Sequence, residues 1–129
     1  MADKISFDLV SPEQLLLSDA ADMVTIPGSD GDMGVMAGHA PLITTLRPGI
    51  IKVAGATGGE DSYFVAGGFA EVNAEKITVL AEEAVPVKGL DIEARLTLAN
   101  EAVTAARSDA DKAKAQEIVD ALAALRSVH

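Results

Sequence analysis

Asp30 and Asp32, inside the run Pro27-Gly28-Ser29-Asp30-Gly31-Asp32-Met33-Gly34, are the carboxylates whose spacing comes nearest to a cation site. A calcium loop would need an oxygen ligand where Gly34 stands and a distal Glu, and the flanking residues read as strands rather than helices. The run is therefore expected to be a structured turn, and no metal is expected. His39 has the chemistry of a general base or ligand. The chain has no Cys and no fitting carboxylate pattern around His39, so a hydrogen-bonded structural role is expected of it. Gly55-Ala56-Thr57-Gly58-Gly59 lacks the Lys and Ser/Thr of a phosphate loop and sits between strands, which makes it a hairpin turn. Gly28-Ser29-Asp30-Gly31 has the wrong spacing for a nucleophile elbow. Glu82-Glu83 reads as a solvated strand end, because adjacent strand residues point to opposite faces. No nucleophile, base or metal constellation can be assembled, so catalytic residues are not expected and the chain reads as a non-enzyme.

Composition narrows the classes further. The 129 residues are 49% hydrophobic, enough for a genuine core, yet only 3% aromatic, so the core must be built from aliphatic side chains and Met. That leaves no stacking platform for single-stranded nucleic acid. A formal net charge of −10 argues against nucleic acid in any form. Without Cys there are no disulfides, which fits a reducing compartment. The opening Met1-Ala2-Asp3-Lys4-Ile5-Ser6 lacks the layout of a signal or transit peptide. No apolar run approaches the roughly 20 residues needed to span a bilayer, so direct membrane insertion is not expected.

Two kinds of element must position whatever the chain does. From Ile5 to about Val87, short runs rich in Val, Ile and Thr alternate with Gly, Pro and Asp. The candidate strands are Ile5–Val10, Leu15–Ser18, Asp22–Ile26, Gly34–Met36, Leu42–Leu46, Ile50–Ala54, Ser62–Ala66, Phe69–Asn73 and Ile77–Glu82. Their spacing predicts a sandwich or flattened barrel. Asn73-Ala74-Glu75 reads as a turn, and Pro27-Gly28, Pro48-Gly49 and Gly67-Gly68 as further reversals.

After Pro86 and Gly89 the period changes. Ile92, Leu96, Ala99, Val103 and Ala106 form one helical stripe, and Ala115, Ile118, Leu122 and Leu125 repeat it, with Ser108 or Asp109 as cap between them. The short connection demands an antiparallel pair. The expected fold is α+β: a β-sandwich domain over residues 1–87 followed by an α-helical hairpin over 88–129. Being rich in Ala, the stripe buries little area, and the hairpin is expected to need docking to stay folded.

The stretch from Met33 to Ile43 is apolar, glycine-rich and broken by Pro41, so it cannot be one plain strand. Its Met33 and Met36 read equally well as core filling or as a face for a partner. On residues alone, a stand-alone β-sandwich adaptor or ligand-binding module stays open beside a docking subunit.

The order of motifs resembles the epsilon subunit family of F-type ATP synthases. The resemblance rests on Ile26-Pro27-Gly28-Ser29-Asp30-Gly31-Asp32-Met33-Gly34-Val35-Met36-Ala37-Gly38-His39-Ala40-Pro41-Leu42-Ile43-Thr44 and then Leu46-Arg47-Pro48-Gly49. Gly67-Gly68-Phe69-Ala70-Glu71-Val72, Val79-Leu80-Ala81-Glu82-Glu83-Ala84, the opening Phe7-Asp8-Leu9-Val10-Ser11-Pro12-Glu13 and the terminal hairpin extend it over nearly the whole chain. It implies a sandwich of about ten strands and a non-catalytic place in the central stalk, between the gamma subunit and the membrane rotor ring. It also implies possible contact of the hairpin with the catalytic beta subunit, and regulation of ATP hydrolysis by that hairpin.

The resemblance implies interface residues as well: Ser29, Asp30, Gly31 and Asp32 near the ring, with His39 on the neighbouring loop and Met36, Pro41 and Leu42 in the same gamma and ring interface. Some members bind ATP on the second helix through Ile/Leu-Asp-x-x-Arg-Ala. Ala110-Asp111-Lys112-Ala113-Lys114-Ala115 stands at that place, so Asp111 and Lys114 would be the nucleotide contacts. Lys114 cannot reproduce a bidentate guanidinium grip, so no cofactor is expected there. The implied location is peripheral, on the cytoplasmic face of a bacterial inner membrane.

Overall fold

The structure, a computed structural model, describes residues 4–29, 31–56, 59–88 and 90–128. The chain divides into two compact units, Met1–Lys88 and Gly89–His129. The first holds β1 (Ile5–Val10), β2 (Leu15–Ala21), β3 (Met23–Gly28), β4 (Gly31–Val35), β5 (Leu42–Leu46), β6 (Gly49–Ala56), β7 (Gly59–Val65), β8 (Gly68–Val72), β9 (Lys76–Ala81) and β10 (Ala84–Pro86). They form one curled sheet in the order β10-β7-β6-β3-β5-β8-β9-β1-β2, with β4 hydrogen-bonded to β3 off that path. All ladders are antiparallel except β1 with β9, where Ser6 faces Lys76 and Val10 faces Leu80.

The period of two explains the core. Ile5, Phe7 and Leu9 of β1, Val24 and Ile26 of β3, Ile51 and Val53 of β6, Val72 of β8, and Ile77 and Val79 of β9 all point inward and are buried. No charged or polar side chain among the described residues is buried with them. The sandwich is therefore held by aliphatic packing, as its low aromatic content requires.

β1 and β5 have the bounds read from sequence, and the other strands differ by one to three residues at an end. β3 runs through Pro27 to Gly28, although Pro27-Gly28 reads as a reversal. Pro27 is tolerated because it stands beyond Thr25, the last residue of β3 that pairs with β6. The reversal falls instead after Gly28, which pairs with Gly31 at φ +137°. β10 has no counterpart among the sequence-read strands. Its three residues gain their ladder only by pairing with Tyr63, Phe64 and Val65 of β7, a contact distant in sequence. Of the turn read at Gly55–Gly59, Thr57 and Gly58 lie outside the described residues.

The second unit is a pair of helices, α1 (Ile92–Ala105) and α2 (Asp109–Val128), packed on each other. Asp91 caps α1 by accepting from the Ala94 N–H at 3.1 Å, and Ser108 caps α2 by accepting from the Asp111 N–H at 3.1 Å. Leu96, Ala99, Ala115, Leu122 and Leu125 of the predicted stripes are buried, and Leu98 faces out. Arg126 near the end of α2 donates to Glu93 at the start of α1 at 3.2 Å, which fixes the pair as antiparallel. The architecture is thus a β-sandwich followed by a helical hairpin.

A polar row on the outer face of β1 carries one consequence for pH. Asp8 accepts from the Lys76 ammonium at 2.8 Å and from the Ser18 hydroxyl at 2.7 Å. Those two bonds, Lys76 first, hold its carboxyl below its ordinary pKa. A carboxyl depressed in the folded state stabilises the fold above its unfolded pKa, and that contribution is lost as pH falls through the folded value. In chemical denaturation, Asp8→Asn is therefore expected to be less stable than the parent at pH 7, with the gap closing below about pH 4. A gap of constant size would show that Asp8 has no such role.

Candidate functional site

The β3–β4 tip is built by a short turn between two glycines, Gly28 and Gly31. Ser29 is exposed in that turn and its N–H donates to the Thr45 carbonyl at 3.0 Å; Asp30 lies outside the described residues. Asp32 is exposed on β4, where its Oδ1 accepts from Arg47 Nη2 at 2.6 Å. The other guanidinium arm, Nη1, donates to the Gly28 carbonyl at 3.2 Å. Arg47 also closes the tip through its backbone, its N–H donating to the Pro27 carbonyl at 3.0 Å.

Met36, His39, Pro41 and Leu42 lie elsewhere. They follow the far end of β4, whose five residues at about 3.3 Å each put roughly 17 Å between the two groups. There the Gly38 N–H donates to the Ala74 carbonyl at 2.8 Å and ties the loop to the β8–β9 turn. His39 Nδ1 donates to the Ala40 carbonyl at 2.7 Å, a structural use of the ring. Met36 is 58% exposed, whereas Met33 packs against the core, so the two methionines divide between surface and interior. Leu42 also packs on the core. The structure thus brings Ser29, Gly31 and Asp32 together at one end of β4, and Met36, His39 and Pro41 together at the other.

Residues that sequence reading did not single out form a row of exposed apolar side chains on the outer face of the sheet. Thr45 pairs with Phe69, Phe69 with Leu80, Leu80 with Val10, and Val10 with Leu15, one continuous row across β5, β8, β9, β1 and β2. Leu15 is 58%, Phe69 44% and Leu80 40% exposed, and Ile43 beside the row is 71% exposed. Such contiguous apolar exposure marks a surface that a partner covers. The available signal was a strand apolar on both faces, as in Val79-Leu80-Ala81 or Leu15-Leu16-Leu17, where simple alternation would place a polar residue.

On the hairpin, Asp111 and Lys114 are exposed in the first turns of α2. Glu82 and Glu83 lie in the bend between β9 and β10. Among the described residues no three His, Cys, Asp or Glu side chains could hold a metal, and no helix is long and apolar enough to cross a membrane.

Residues 4–87 match the family model described as ATP synthase, Delta/Epsilon chain, beta-sandwich domain. The ATP synthase epsilon chain of Paramagnetospirillum magneticum is 55% identical over 122 residues, covering 92% of each chain. That of Parvibaculum lavamentivorans is 51% identical over 129 residues, covering 98% of each. Among solved structures, a chain of the Euglena gracilis mitochondrial ATP synthase, described as OSCP/F1/c-ring, superposes with a TM-score of 0.75 at 27% identity, over 99% of this chain and 82% of that one. A chain from the Tetrahymena thermophila central stalk and c-ring shares the fold at a TM-score of 0.72 and 14% identity, over 96% of this chain and 97% of that one.

Proposed function

This chain belongs to the ATP synthase epsilon-chain family, a non-catalytic subunit of that complex, and on that premise we propose that it couples the gamma subunit to the membrane rotor ring. The observation that carries the proposal is the apolar row from Leu15 through Leu80 and Phe69 to the neighbouring Ile43, left exposed on an otherwise well-packed sandwich. A row of this kind on rigid strands suits a permanent partner, and gamma is assigned to it. The tip formed by Ser29, Gly31 and Asp32 is assigned to the polar loops of the ring. Its contribution comes through fit, since an exposed charge pair at an interface rim is worth only about 0–1 kcal/mol. Met36, His39 and Pro41, at the other end of β4, belong to the gamma side. The hairpin is assigned a regulatory role toward the catalytic beta subunit, and the whole chain a peripheral position on the cytoplasmic face of the inner membrane.

The test uses membranes whose ATP synthase lacks this chain, with proton pumping and ATP synthesis measured before and after adding back residues 1–88 or the full protein. Restoration by residues 1–88 is expected, and would assign coupling to the sandwich. Failure of both forms to restore it would overturn the proposal.

A further inference from the structure

We propose that Arg47 is the positioning residue of the β3–β4 tip: its guanidinium clips the two strands of that hairpin together beside their turn, and so sets the shape that the tip presents to the rotor ring. This rests on the assignment of the tip to the ring.

The geometry is that of a two-pronged brace. Nη1 reaches the Gly28 carbonyl on β3 at 3.2 Å while Nη2 reaches Asp32 Oδ1 on β4 at 2.6 Å. Gly28 and Asp32 flank the turn, and Gly28 pairs with Gly31 as the last rung of the hairpin. Glycine on both sides of a turn leaves the backbone with the widest conformational choice, so the tip has little intrinsic stiffness. Stiffness must be supplied from outside the hairpin, and β5 supplies it. The Ser29 N–H is held by the Thr45 carbonyl and the Arg47 N–H by the Pro27 carbonyl, both at 3.0 Å. Arg47 adds the side-chain half of the same brace.

A planar fork meets the two acceptors with two separate arms held at a fixed angle, whereas an ammonium must bring both within reach of its single nitrogen and fixes their relative position less firmly. The pairing also gives Asp32 a partner within its own chain. Its role at the tip is then to be held as an acceptor in a fixed position rather than to supply a free charge. A tip that transmits torque must resist displacement, and a turn closed on one side by the ladder and on the other by Arg47 meets that demand.

The test compares Arg47→Ala, Arg47→Lys and Asp32→Asn in the full chain. Amide exchange at Ser29 reports the tip, and the ratio of protons pumped to ATP hydrolysed in reconstituted membranes reports coupling. Exchange at Ser29 is expected to rise about threefold or more in Arg47→Ala. The coupling ratio is expected to fall in parallel, Arg47→Lys giving partial rescue and Asp32→Asn a smaller loss. Thermal unfolding of the chain should be nearly unchanged, because the pair is exposed. Unaltered Ser29 exchange in Arg47→Ala would overturn the proposal, as would faster exchange with normal coupling. Ser29→Trp separates the two levels. If that bulky tip uncouples the enzyme and Arg47→Ala does not, the brace is wrong while the ring assignment stands; if neither uncouples it, the ring assignment has failed.

Discussion

Replacing Phe69 by Asp is expected to weaken binding of this chain to gamma by roughly 30- to 1000-fold while leaving the isolated protein folded. Phe69 stands in the middle of the exposed row, with Thr45 opposite it on one side and Leu80 on the other. A central aromatic anchor removed from an interface typically costs about 2–4 kcal/mol, and a carboxylate put in its place adds the cost of burying an unpaired charge. In the free chain Phe69 is 44% exposed, so the same change costs the fold little. Titration calorimetry with purified gamma, beside thermal unfolding of the variant alone, separates the two effects. Wild-type affinity in Phe69→Asp would remove the apolar row from the docking site.

One residue earlier the expectation reverses. Gly68→Ala should destabilise the sandwich by roughly 3 kcal/mol or more. A methyl group there would run into the Leu80 carbonyl, with the Ala81 Cα 2.9 Å away, and Gly68 has φ +139°, a conformation closed to most side chains. The obstacle is backbone of the paired strand β9, so no rotamer change can relieve it. The midpoint of urea unfolding measures the loss; a midpoint within error of the parent would show that β8 and β9 can part locally to admit a methyl group. Adjacent positions thus separate docking from folding: one side chain faces a partner, and one absent side chain lets three strands close.

Much of this architecture could be read from residue pattern. Leu42–Leu46 is bounded by Pro41 and Pro48, and Ile92, Leu96, Ala99 and Val103 keep a strict helical stripe, so both elements appear where local chemistry places them. Local chemistry fails where pairing decides. Ala84-Val85-Pro86 is too short and too proline-bound to be read as a strand without β7 beside it. The same holds for β4, which runs Gly31–Val35: a glycine-rich sequence of low strand propensity, it reads as turn up to Met33 and as strand only from Gly34, and its pairing with β3 decides the true bounds. The exposed row was hidden because cross-strand neighbours such as Leu80 and Val10 are far apart in sequence and meet only through the parallel ladder.

That ladder also governs when the domain can be made. β1 is synthesised first, yet it lies between β2 and β9, and its Phe7 packs beside an Ile77 that emerges only near the end of the domain. At about 5–20 residues per second, Ile5, Phe7 and Leu9 wait several seconds for the strand that covers their second flank. Parallel pairing over such a span is slow to find, because the loop closure precedes the contacts that reward it. The core of the sandwich therefore closes only after β9 has left the ribosome, and until then β1 keeps one flank unpaired.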